Sequence, residues 1–218
     1  MRAAAFFDLD GTLLTVNSGR LWMMYERREG RLSLRQLLQG SFYLLAYRVS
    51  VLDMDRVMEK ALTTVIGQQE ELIRWRTEEW FEREVKQFFA PGAAQVLAEH
   101  RRQGRPLVLL TSSSPYESAA ACRAFGLDDF ISTRYEVHEG RFTGRLLGPA
   151  CYGRAKVLLS ERYAAERGID LSQSYFYTDS HSDIPMLERV GFPHAANPDR
   201  RLERIARRRG WPVLDWRW

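Results

Sequence analysis

The stretch AAAFFDLDGTLL, residues 3–14, decides the fold. The apolar run 3–7 has no polar alternation, which describes a short strand buried on both faces, the kind found in parallel sheets. The run then gives way to Asp8, Asp10 and Gly11. Whatever this strand positions is acidic and lies at its carboxyl end, the edge where open parallel sheets gather their chemistry.

From Ser18 to Phe89 helix patterns dominate, near 18–29, 33–49, 53–65 and 69–89. Gly30, Gly40 and Gly67 punctuate them, with Asp53 placed as a cap. Pro91-Gly92 ends the block. Beyond it helices at 92–103, 115–125, 154–167, 182–190 and 198–209 alternate with strands at 106–111 (PLVLLT), 174–178 (SYFYT), 192–196 and 212–215. Residues 131–138 and 141–147 flank Glu139-Gly140 and predict a β-hairpin flap. Strand and helix alternating through short connections predict an α/β fold, a doubly wound, Rossmann-like parallel sheet covered on both faces. The expected division is a core of residues 1–16 and 90–218, with a helical cap of residues 17–89 inserted after the first strand.

Composition narrows the function. The 218 residues carry a formal charge of +4, too little for their number to argue for nucleic acid. Six arginines at 200–209 read as a solvated helix face, since no aromatic platform accompanies them. No apolar run approaches the roughly 20 residues that span a bilayer, and acids follow the first apolar run too soon for a signal peptide. The helix at 33–49 carries a wide apolar stripe (Leu34, Leu37, Leu38, Phe42, Leu45, Val49), read as packing inside the cap. Cys122 and Cys151 form no metal or disulfide pattern. A cytoplasmic monomer or weak dimer is expected.

Three strands end in polar residues: Asp8 and Asp10 after the first, Thr111-Ser112-Ser113-Ser114 after the second, and Asp179 with Asp183 after SYFYT. Lys156 begins the helix before that last strand. It is one of three lysines among 32 basic residues, so its use in place of arginine is informative. This set suits phosphoryl transfer, where a carboxylate attacks a doubly anionic ester once cations offset both charges. Asp8, Asp179 and a backbone carbonyl can bind Mg²⁺, which takes one or two carboxylates plus waters and phosphate oxygens. Asp8 is the expected nucleophile, and Asp10 the acid that protonates the leaving oxygen and then activates water.

FFDLDGTLL (6–14) resembles motif I of the haloacid dehalogenase superfamily, and YTDSHSD (177–183) its motif IV. Lys156 to the C-terminus, including DIPMLERVG, ANPD and GWPVL, resembles the subfamily with a helical cap after motif I, which contains the phosphoserine phosphatases. The resemblance implies a magnesium-dependent phosphatase of small phosphorylated metabolites. By position, Asp8 is the nucleophile, Asp10 the acid/base, Ser112 the motif II hydroxyl, with Thr111 the alternative, and Lys156 the motif III cation. Asp179 is a metal ligand, and Asp183 ligates directly or steadies a ligand. Asp8 and Asp10 complete the expected metal set, and Thr12 steadies the loop through side-chain-to-backbone hydrogen bonds.

Phosphoserine phosphatases place an acid just past motif I to grip the substrate's ammonium. Here Leu13 to Arg20 contains none, so Asn17 and Arg20, with Ser112, Ser113 and Lys156, are the expected substrate contacts. The substrate stays open among phosphoserine, histidinol phosphate, sugar and lysophospholipid phosphates. A phosphotransferase or an idle binding module are the other readings. His100, His138 and His194 read as structural, and His181 as a surface or supporting residue.

Overall fold

The computed structural model describes residues 2–34 and 54–217. The apolar stripe expected at 33–49 lies, Ser33 and Leu34 apart, outside the described residues.

Six parallel strands form one sheet: β1 (Ala5–Phe7), β2 (Leu107–Leu110), β3 (Asp129–Ile131), β6 (Tyr175–Thr178), β7 (Phe192–Ala196) and β8 (Val213–Leu214), ordered β3-β2-β1-β6-β7-β8. An antiparallel pair, β4 (Tyr135–His138) and β5 (Arg141–Leu146), stands apart from it. The hairpin therefore begins later than expected. Ile131 leaves it and ends the sheet's edge strand, Asp129–Ile131, a strand the sequence reading did not place, which pairs with Val108–Leu110.

Because successive strand side chains face opposite ways, the continuous apolar runs feed two cores. On one face Phe7, Leu107, Leu109 and Tyr177 pack under α4 (Ala93–Arg102) and α5 (Pro115–Phe125). On the other, Phe6, Val108, Leu110 and Phe176 meet α6 (Arg154–Arg167), the short α7 (Ile184–Leu187) and α8 (Arg200–Arg209). Phe6, Phe7 and Phe176 are fully buried, each contributing about 1.5–3 kcal/mol. The arginine-rich α8 exposes its charges, with Arg207 paired to Glu203 and Arg209 to Glu188.

Between β1 and β2 lie α1 (Ser18–Arg28), α2 (Met54–Leu62) and α3 (Glu70–Trp80). The last runs into a π-turn, Phe81–Val85, and a 3₁₀ turn, Lys86–Phe88, where one helix was expected to 89. Trp22 of α1 meets Trp80 of α3 edge-on at 5.0 Å, and Arg76 pairs with Glu26 at 2.7 Å, both buried. The helical block also touches the hairpin, where Glu70 N donates to Gly140 O (2.8 Å), and the segment after it, where Ala150 N donates to Asp55 Oδ1 (2.8 Å). Among the described residues no helix is long and apolar enough to cross a membrane.

His100 is structural, as expected. Its Nε2 lies 2.9 Å from Tyr177 Oη and its Nδ1 3.1 Å from an Arg105 guanidinium nitrogen. The arginine can only donate, so Nδ1 accepts and the ring is neutral. Burial, then Arg105, brings its pKa down to about 4. The unfolded chain takes up this proton near pH 6.5 and the folded chain does not, so stability present above pH 6.5 is lost as pH falls toward 4. Chemical denaturation should show His100→Gln losing about 2–3 kcal/mol less than the parent between pH 7.5 and 4.5.

Candidate active site

β1 lies between β2 and β6, so their carboxyl ends converge. Asp8 N donates to Tyr177 O at 2.9 Å, which extends the β1–β6 ladder to the first acid. From there the DLDGT loop turns sharply. Leu9 O accepts from Leu14 N (2.8 Å), and Gly11 takes φ +71°, a left-handed value that glycine tolerates best. A Cβ on Gly11 would stand 2.2 Å from Asp179 Oδ2, so this glycine lets the loop lie directly on the carboxylate after β6.

Lys156, in the first turn of α6, donates to Asp8 Oδ1 at 2.8 Å and to Asp183 Oδ2 at 2.7 Å. Asp183 Oδ2 also accepts from Thr178 Oγ1 (2.8 Å), while its Oδ1 is buried with no hydrogen-bond partner among the described residues. The lysine is 3% exposed and Asp183 1%. Burial opposes the ammonium's charge, but Asp183 and Asp8 outweigh it and hold the pKa well above the usual lysine value. One cation does not offset every acid here. Burial pushes Asp8 up to about 7 against the pull of Lys156. Burial also drives Asp179 well above the usual carboxylate range, with the charge of Asp8 adding to it.

Asp10 is held from the opposite side. Its Oδ1 accepts from Ser18 N at 2.7 Å and its Oδ2 from Asn17 Nδ2 at 3.3 Å. Burial raises its pKa too, and the Ser18 hydrogen bond draws it back. Asn17, expected as a substrate contact, is occupied: its Oδ1 accepts from Arg20 N (2.9 Å), capping α1, while its amide steadies Asp10. Arg20 is exposed and its guanidinium forms no ion pair with the described residues.

β2 ends at Leu110. Thr111 is buried and its Oγ1 accepts from Ser113 N (3.2 Å), shaping the loop; Ser112, half-buried, receives Thr133 Oγ1 on its carbonyl (2.9 Å). The side-chain hydrogen bond expected of Thr12 is not made: its buried Oγ1 has no partner among the described residues, and the residue holds the loop through its backbone, N donating to Leu9 O at 3.3 Å. His181 sits beside the site, its Nδ1 2.8 Å from Asp199 Oδ2.

A residue the sequence reading missed is Glu117, a buried acid beside Asp10, Ser18 and Ser113. Its signal was hidden, because Ser114-Pro115-Tyr116-Glu117 has the spacing of an ordinary capping box.

The residues present fit a hard divalent cation. No three acidic, histidine or cysteine side chains among the described residues make a preformed cage. Mg²⁺ needs none, taking one or two carboxylates and completing its shell with carbonyl, water and phosphate oxygens. The buried, crowded carboxylates of Asp8 and Asp179, and the unpartnered Asp183 Oδ1, leave negative charge that such an ion would offset.

Comparison with known proteins places the chain among hydrolases. The family described as haloacid dehalogenase-like hydrolase matches residues 5–188. A histidinol-phosphatase of Neisseria meningitidis serogroup C (strain 8013) is 28% identical over 222 residues, covering all of both chains. The phosphoserine phosphatase SerB1 of Mycobacterium tuberculosis (strain ATCC 25618 / H37Rv) is 33% identical over 223 residues, covering all of this chain and 72% of its own. A crystal structure of a protein of unknown function from Bordetella pertussis Tohama I superposes with a TM-score of 0.90 at 31% identity, over 99% of each chain.

Gly11→Ala tests the loop-on-carboxylate contact. A methyl at 2.2 Å from Asp179 Oδ2 must displace one of the two, and the left-handed backbone adds about 1–2 kcal/mol of strain. Catalytic efficiency on a phosphate ester should fall on the order of 10²-fold, while circular dichroism still reports a folded chain.

Proposed function

The chain belongs to the haloacid dehalogenase-like hydrolase family and is a phosphatase, and from that premise we propose that it hydrolyses a small phosphomonoester through an aspartyl phosphate on Asp8. The observation that carries this reading is the Lys156 ammonium, held 2.8 Å from Asp8 and 2.7 Å from Asp183 at the carboxyl edge of a parallel sheet. A buried lysine there orients one carboxylate and offers positive charge to an incoming phosphate.

In the first step a carboxylate oxygen of Asp8 attacks phosphorus, the bond to the ester oxygen breaks, and Asp10 gives that oxygen its proton. In the second, Asp10 takes a proton from water, which attacks the same phosphorus. The acyl phosphate breaks, returning Asp8 and inorganic phosphate. Asp8, Asp179 and a loop carbonyl would hold Mg²⁺, with Asp183 supporting, and the ion supplies the charge neutralisation that lets one anion approach another. Ser112 and the N–H groups of its loop would receive the phosphate oxygens. The helical block, residues 17–89, is read as a cap over this edge, because α1 begins within hydrogen-bond reach of Asp10. Relatives named for histidinol phosphate and phosphoserine support a small alcohol phosphate as substrate. A cytoplasmic site of action fits the two free thiols, Cys122 and Cys151, whose pKa values burial pushes up to about 12.

Two outcomes check this. Asp8→Asn should cut phosphate release by on the order of 10³-fold or more without loss of the fold. Chelation by EDTA should abolish release from the parent protein, and excess Mg²⁺ should restore it. Undiminished turnover by Asp8→Asn would remove Asp8 from its role.

A further inference from the structure

The turn from β7 into α8, Asn197-Pro198-Asp199, touches both acidic loops of the site without belonging to either. Asn197 Nδ2 donates to Gly11 O at 2.9 Å, and its Oδ1 accepts from Trp216 N at 2.7 Å. A carbonyl only accepts and a backbone N–H only donates, so both ends of this amide are fixed. Asn197 takes φ +51°, a left-handed value that asparagine tolerates better than most residues. Trp216 backs this grip: it is 3% exposed, and its own O accepts from Gly92 N at 3.1 Å. Two residues past Asn197, Asp199 N donates to Asp179 O at 2.7 Å. Asp199 Oδ2 accepts from His181 N at 2.9 Å and stands 2.8 Å from His181 Nδ1. Its Oδ1 accepts from Arg201 N and Leu202 N, which caps α8. The ring of Pro198 fixes one backbone torsion between the two grips and stiffens the link.

The two loops need such a hold. Like charges face each other where Gly11 lies on Asp179: burial leaves that carboxylate unscreened, and Asp8 and Asp10 repel it. Lys156 ties Asp8 to Asp183, but among the described residues it forms no ion pair with Asp10 or Asp179. We infer that Asn197 and Asp199 are positioning residues, a brace that holds the DLDGT loop and the turn after β6 together as one cradle for a divalent cation. Each acts through main-chain atoms, Gly11 O, Asp179 O and His181 N, rather than through the reacting carboxylates. The chemistry of the cradle rests on the phosphatase reading above; the brace itself rests on these contacts. With the brace released, the acids would spread apart, the ion would bind more weakly, and Asp8 would be less well aimed. The loss should therefore fall on cation affinity and kcat more than on KM for the ester.

Two variants release one grip each. Asn197→Gly keeps the left-handed backbone and removes the amide. Asp199→Asn keeps a good helix cap and removes the anionic acceptor of His181. Ile169→Ala is the control: this buried residue bridges to Arg2 at the far, amino-terminal edge of the sheet, so its loss lowers stability without touching the brace. Calorimetry should show Mg²⁺ binding weakened about 10-fold or more in each brace variant, and within about 2-fold of the parent in Ile169→Ala. With p-nitrophenyl phosphate at saturating Mg²⁺, kcat should fall about 10-fold or more in the brace variants while KM stays within about 3-fold. Should Asn197→Gly fail to fold, Asp199→Asn decides alone. Parent-like Mg²⁺ affinity in either folded brace variant, or an equal loss in Ile169→Ala, overturns the brace, as does a parent that binds no Mg²⁺. If the parent turns over no phosphate ester, the phosphatase reading falls, and the Mg²⁺ titration still decides the brace.

Discussion

The Lys156 ammonium between Asp8 and Asp183 is the contact on which the whole edge depends. Three separate elements supply its atoms: the end of β1, the start of α6 and the turn after β6. Each group alone would be an unpaired charge out of water. Removing one partner from such a buried arrangement costs about 3–5 kcal/mol, so the three elements are fastened to one another. The strand order makes this possible, because β1 is flanked by β2 and β6 and all three end on the same side. A lysine suits the place: its charge is compact and its stem can lie along the apolar floor, with Nζ 5.6 Å from the Phe176 ring centre.

That contact leaves the site short of positive charge, with consequences for everything around it. Asp8, Asp10 and Asp179 are all raised by burial, and among the described residues none pairs with a guanidinium. The protein spends its arginines elsewhere, on α8 and on pairs such as Arg76–Glu26 inside the helical block. The acidic edge is thus built to be completed by what binds there. Gly11 serves the same end, since any side chain at that position would occupy the space of the Asp179 carboxylate.

Much of this was legible in the sequence, for physical reasons. A buried parallel strand is a continuous apolar run, and an acid directly past its end breaks that run, so FFDLDG and YFYTD revealed themselves by pattern. Lys156 stood out because the chain otherwise uses arginine almost throughout. What stayed hidden had no punctuation. No glycine or proline separates Asp129–Ile131 from Tyr135, so the short edge strand went unread and its last residue was assigned to the hairpin arm. The π-turn after Trp80 keeps a helix-like composition and reads as more helix. The part Asn17 plays inside the protein also went unread, its Oδ1 capping α1 at Arg20 N and its amide donating to Asp10. Glu117 matched a local motif whose bond the tertiary structure does not make.

The arrangement of Asp10 joins chemistry to the helical block. Its carboxylate is oriented by Ser18 N and by Asn17, and both belong to the entry of α1, where the helix dipole favours an anion. α1 is in turn bound to α3 through Trp22 on Trp80 and Glu26 with Arg76. A shift of these helices relative to the sheet must therefore move the donors that aim Asp10, whereas Asp8 and Lys156 belong to the sheet layer and would stay. The Asp10 carboxylate thus takes its aim from the helical block, and the Asp8–Lys156 pair from the sheet layer, so the two acids of one loop answer to different parts of the molecule.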